Sequence, residues 1–267
     1  MTHVADDALW WQTMLQSEPW NTSPPFSRLI NFRLSMIVPD LLRCWNLGVS
    51  RHMLASCLKI LLSDQIVFPA PTLPGRLKMA SESLLAFARR HRYPLRMKKI
   101  TKNKLKWKAR RYPELASSGY DAFVVGTWLE QTLTPHNHHY PEIATLLWSS
   151  NKGISLLYSA GTFLTTGEKQ SVKVYGDIFL QTYVTLAGRA LNEHKLLFRV
   201  IPKLHLMSHI FNWKRSVNPS RYSTWMDEDY LKKIGKTLGL TQQKTAQQRL
   251  LQRWLLSIPN HLKRNLG

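Results

Sequence analysis

The stretch that decides the fold is Phe32-Arg33-Leu34-Ser35-Met36-Ile37-Val38-Pro39-Asp40, followed by apolar residues at Leu41, Leu42, Trp45, Val49, Met53, Leu54, Leu58, Leu61 and Leu62. Phe32 to Val38 opens with period-two alternation and ends β-branched, the pattern of a strand entering a buried sheet. Pro39 stops it. Beyond Asp40 the apolar spacing is helical as far as Ser63, with Gly48 as an early break. The expected unit over 31–65 is therefore strand, aspartate, helix. An acid at the carboxyl end of a strand lies where α/β folds leave a crevice for a ligand. Equally, Asp40 can cap the following helix by accepting a backbone N–H bond.

Working outward, residues 1–30 are Trp-rich and broken by Pro24 and Pro25, which predicts an irregular segment. Pro69, Pro71 and Pro74 mark a loop. Apolar stripes predict helices over 77–91, 121–133, 141–158, 168–193, 204–211, 227–238 and 243–257. The expected fold is mostly α with a small sheet, one domain over 31–267. It comprises the strand-Asp-helix unit, a basic and helical insertion over 75–200, and C-terminal helices over 201–267.

The chain has 267 residues, with 37 Lys and Arg against 16 Asp and Glu, a formal charge of +21; 44% of residues are hydrophobic and 10% aromatic. That combination is folded and basic, which excludes a disordered polycation. It favours polyanions through long-range attraction and counterion release, so DNA or RNA is the expected partner. Cys44 and Cys57 make neither a disulfide framework nor a cysteine zinc site. No apolar run is long enough to span a membrane, and Asp6 and Asp7 stand where a signal peptide is basic. A nuclear or cytoplasmic protein, neither secreted nor membrane-bound, is the expectation; a homo-oligomer is compatible with it.

The densest charge is Arg96, Lys98, Lys99, Lys102, Lys104, Lys106, Lys108, Arg110 and Arg111, with Trp107 among them. From Lys102 to Arg110 cations alternate with Leu105, Trp107 and Ala109, which on an extended segment puts charge on one face. Phosphate contact with stacking on Trp107 is the functional reading, and a solvated charged face the plainer one. Acids are scarce. Asp227, Glu228 and Asp229 open a predicted helix, where its dipole stabilises them; alternatively Glu228 faces a divalent cation. His205 and His209 share a helix face at a spacing that suits zinc, a structural pair or a phosphate contact.

The run from Asp40 through Arg43 and the Leu47-Gly48 pair to His52 resembles the second-aspartate motif of DDE-type cut-and-paste transposases of the CACTA and Kyakuja-Dileera-Zisupton kind. Pro202-Lys203-Leu204-His205 and the acidic helix start at 227–229 resemble the region that brings in the last catalytic acid of that family. The resemblance implies a remnant of an RNase H-like α/β core interrupted by a large helical insertion. Asp40 and Glu228 would be the catalytic, metal-holding acids, with Mg²⁺ as cofactor if the chain is active, and Arg43, Lys203, His205 and His209 would lie near the site. Arg43 replaces a histidine of the family pattern. No first aspartate can be placed, so the chain reads as the carboxyl-terminal part of a transposase, degenerate or truncated. The expected function is a transposase-derived DNA-binding protein, incomplete or inactive as a nuclease or strand transferase. The alternative is a basic helical structural or RNA-binding protein with no catalytic site.

Overall fold

The computed structural model describes residues 29–33 and 36–225, with isolated positions 235, 248 and 252. Contacts divide the chain into two compact units, Met1–Ser223 and Thr224–Gly267. The sequence suggests one body over 31–267, and of the second unit only Thr224, Trp225 and those isolated positions are described. The helices expected at 227–238 and 243–257, and all but the end of the irregular segment over 1–30, lie outside the described residues. The first unit carries the basic run and the helices around it.

The expected strand is absent among the described residues of 32–38. A strand needs a partner to receive its backbone hydrogen bonds, and the described chain offers only one isolated antiparallel bridge, Phe163 with Val217. Met36 and Ile37 are accordingly exposed. The small sheet is corrected to that bridge, and the unit is mostly α. The remainder follows the apolar stripes. A π-helix, Leu42–Val49, runs into α1, Ser50–Leu61, and Gly48, next to last in the π-helix, departs from helical geometry (φ −129°, ψ −106°). A Cβ on Gly48 would lie 2.8 Å from the Arg43 carbonyl oxygen and 2.7 Å from Lys203 Cδ, so this close approach requires glycine. Every residue of α1 from His52 to Leu58 is buried, as expected of the helix at the middle of a bundle.

The caps set the other boundaries. Thr72 accepts from the Gly75 amide to open α2, Leu73–Arg90, whose last turn carries Arg89 and Arg90 at the negative end of the dipole. Ser118 accepts from Asp121 to open α3, Gly119–Leu133. Pro141 starts α4, Pro141–Ser159. A capping box of Thr165 and Glu168 starts α5, Thr166–Asn192. Pro202 starts α6, Pro202–Phe211. The most extensive pairing is α4 with α5; α6 packs on both α5 and the π-helix, and α3 on α1, α2, α4 and the π-helix. Trp128 of α3 is 1% exposed, donates its indole N–H to Ser83 Oγ at 3.1 Å and stacks on Phe68. Among the described residues no helix is long and apolar enough to cross a membrane.

Candidate nucleic-acid interface

The chain between α2 and α3 carries the basic run, and its apolar residues fasten it to the helices. Leu95, Met97, Ile100, Leu105 and Leu115 are buried. Backbone bonds add to this: the Arg96 amide donates to Asp121 Oδ1 at 3.0 Å, Ile100 to Ser81 Oγ at 2.9 Å, Leu115 to the Arg51 carbonyl at 3.0 Å and Ala116 to the Lys104 carbonyl at 2.7 Å. The expected extended segment over 102–110 is instead a series of turns. Leu105 donates to the Thr101 carbonyl, Lys106 to that of Asn103 and Trp107 to that of Lys102, and Lys106 takes a left-handed conformation (φ 43°). Hydrogen bonds within the turn substitute for a strand partner.

This loop displays its charge. Arg96, Lys98, Lys99, Lys102, Lys104, Lys108, Arg110 and Arg111 are exposed. Lys106 is half-buried and paired to Glu114 at 2.7 Å. Burial raises the affinity of the Glu114 carboxyl for its proton, but the bond and charge of Lys106, with His52 and Arg51 adding, hold it below the ordinary value. Trp107 is half-buried and packs against the core, with Lys59 Nζ 5.8 Å from the centre of its ring. That contact favours a cation over the ring, and burial lowers the Lys59 pKa. Trp107 is therefore in part a fastening for the loop.

Where the loop returns toward α3, an open cleft of about 440 Å³ is lined by Arg51, Arg96, Lys104, Lys106, Glu114, Ser117, Ser118 and Asp121, among others. The sequence reading missed Arg51, Glu114 and Asp121 as functional residues, since only the tertiary fold brings α1, the loop and α3 together.

Asp40 is a helix cap in the described surroundings. Its Oδ1 accepts from the Leu42 amide at 2.9 Å, and its Oδ2 lies 3.9 Å from Arg43 Nε. The Cys44 thiol beside it is pushed up to about 11, by burial first and by Asp40 further, against the charge of Lys203. Lys203 passes against Gly48 of the π-helix, and both it and Asp40 act electrostatically on Cys44. His205 and His209 face each other, Nε2 to Nε2 at 3.1 Å. Glu228 lies outside the described residues. Mg²⁺ favours several oxygen ligands; of the two acids that would hold it only Asp40 lies among the described residues, and those residues contain no group of three or more potential ligands.

The basic loop also rests on a buried histidine. His52 Nδ1 lies 3.1 Å from the Pro113 carbonyl oxygen, and the ring donates there when neutral. Burial lowers its pKa from 6.5, outweighing the raising effects of Pro113 and Glu114, while Arg199 and Lys106 lower it further. The folded state therefore resists protonation that the unfolded chain accepts. Stability is full above about 6.5 and falls as the pH drops below it. Urea midpoints at pH 7.5 and 5.5 should decline, and His52→Gln should make the decline shallower; an equal decline in both proteins would assign it elsewhere. Glu114, also depressed, acts only below its ordinary 4.5 and leaves this window clear.

No protein-family model, curated protein or solved structure matches this chain.

Proposed function

We propose that the chain is a transposase-derived DNA-binding protein, incomplete as a nuclease, that grips the phosphate backbone with the loop over 96–111. One observation carries the binding: eight of the nine cations in that loop are exposed while its apolar residues are buried, so the charge is held on a fixed support. A supported array reaches several phosphates without the ordering cost of a free tail. The transposase origin rests on the motifs around Asp40, at 202–205 and at 227–229, with Asp40 and Glu228 as its metal-holding acids. With Asp40 capping a helix, binding is placed ahead of strand cleavage, and no chemical step is assigned.

The test is a salt titration of duplex DNA and RNA binding. Log affinity should fall linearly with log salt, and Lys102→Gln, Lys108→Gln and Arg110→Gln together should reduce the slope on duplex DNA by about 2 to 3, near 0.9 per lost phosphate contact. A flat salt response overturns nucleic-acid binding; an unchanged slope in the triple variant moves it away from this loop. The capping role of Asp40 also favours a second reading, a helical RNA-binding protein with no catalytic site. Preference for RNA over DNA at matched salt would select it.

A further inference from the structure

The cleft beside Ser117 differs in kind from the open face of the loop. Four cations, Arg51, Arg96, Lys104 and Lys106, converge on it from α1 and from both arms of the loop, against two carboxylates, Glu114 and Asp121. Each carboxylate is engaged within the protein. Glu114 Oε2 accepts from Lys106 Nζ at 2.7 Å, and Asp121 Oδ1 accepts from the Arg96 amide at 3.0 Å, Asp121 being only 3% exposed. Arg96 and Lys104, by contrast, form no ion pair among the described residues and are exposed. Positive charge is therefore in excess where the walls confine it.

Three further features suit an anion. Arg51 donates through its guanidinium to the Ser117 carbonyl, which holds that side chain against the cleft wall. Ser117 Oγ, in the same wall, is buried and has no hydrogen-bond partner among the described residues. A buried hydroxyl without a protein partner leaves a donor that a water or a ligand oxygen can satisfy. The start of α3 adds the positive end of its dipole. The volume of about 440 Å³ falls in the range of small-molecule sites rather than of a single-ion crevice.

The geometry points to a phosphate site in this cleft, bound by the side chains of Arg96 and Lys104 with Arg51 and Lys106 behind them. The assignment of that phosphate to a nucleic acid rests on the proposed function; the site itself does not. Either a backbone phosphodiester or a terminal phosphate supplies the chemistry, and the two are separable by experiment.

The probe is inorganic pyrophosphate, titrated into the full chain at low salt and followed by phosphorus NMR. Arg96→Gln with Lys104→Gln should weaken it at least about tenfold, as expected for losing charge-assisted contacts in a partly screened cleft. The Arg96 amide that holds Asp121 is untouched by this change. Arg92→Gln with Lys214→Gln removes the same charge from exposed positions outside the cleft and the basic loop and should change the affinity less than about twofold, a shift of about 0.4 kcal/mol at most. Equal weakening by both pairs, or by neither, overturns the site. Circular dichroism of both variants should match the parent, which keeps the comparison on binding. Duplexes with and without terminal phosphates distinguish the sources: a cleft-dependent gain from the terminal phosphate identifies an end-binding site, and cleft-dependent binding without that gain a backbone site. Pyrophosphate binding that responds as stated in a chain that binds neither DNA nor RNA supports the site and overturns the nucleic-acid reading. Salt-dependent DNA binding with no cleft-dependent pyrophosphate binding does the reverse.

Discussion

Gly176→Ala should cost about 3 kcal/mol of folding stability, the upper end of what an added methyl does in a packed core. A Cβ at Gly176 of α5 would lie 2.2 Å from Phe211 Cγ and 2.3 Å from Phe211 Cβ. The ring is 1% exposed and packs at its edge on Phe179, with centroids 5.8 Å apart. A rotamer change cannot relieve the overlap, because Phe211 Cβ is fixed by the α6 backbone. The helices must separate, and α6 cannot move alone because it also packs on the π-helix. Shortening Phe211 to leucine leaves the same Cβ in place and should not rescue the variant. Gly188→Ala is the matched control. It lies in the same helix with nothing within 4 Å of its Cβ position, so the change should stabilise by about 0.5 to 1 kcal/mol through helix propensity. Urea midpoints for the two variants should shift in opposite directions; a Gly176→Ala midpoint equal to that of the parent would mean that α5 and α6 are not in contact as described.

That contact could not be read from the sequence, although the helices that make it could. Helical periodicity and start signals are local, so the stripes over 121–133, 141–158 and 168–193 and the break at Gly48 correspond to observed elements within a few residues. Alternation fails differently. Over 32–38 it indicates which side chains would share a face, but a strand exists only if another strand lies beside it. Met36 and Ile37 are exposed because none does among the described residues. Over 102–110 the same pattern arises from a turn that sends Leu105 inward and half-buries Trp107 and Lys106, while Lys102, Lys104, Lys108 and Arg110 are exposed. The basic run was legible from composition, but its cleft was not: Arg51, Lys104 and Asp121 are brought together from α1, the loop and α3. Asp40 allowed two readings from sequence, and the described surroundings favour the cap.

Asn46→Leu should be costlier still, about 4 kcal/mol, because the residue is a polar joint inside an apolar stripe. Asn46 is fully buried in the π-helix. Its Nδ2 donates to the Gly119 carbonyl at 3.1 Å, at the first residue of α3, and its Oδ1 accepts from the Tyr158 hydroxyl at 2.6 Å, near the end of α4. Leucine matches the volume and removes both partners at once. The stranded Tyr158 hydroxyl then carries a desolvation cost of about 1 to 3 kcal/mol, and the Gly119 carbonyl, which heads the α3 helical bonds, loses its second donor. Burial already holds the Tyr158 hydroxyl in its neutral, donating form by raising its pKa, so ionisation offers no escape. A double-mutant cycle isolates this account. Tyr158→Phe should destabilise the parent by about 1 kcal/mol yet stabilise Asn46→Leu, since it then removes an unsatisfied group, and additive effects would refute the joint. Aspartate is not a substitute, for it keeps the acceptor but faces the Gly119 carbonyl with oxygen, and its charge would be buried without a partner. Because Gly119 follows Ser117 and Ser118 and Arg51 follows the π-helix, the Asn46 bond also holds the two walls of the basic cleft in register. Loss of this joint should therefore weaken pyrophosphate binding even where the variant remains folded.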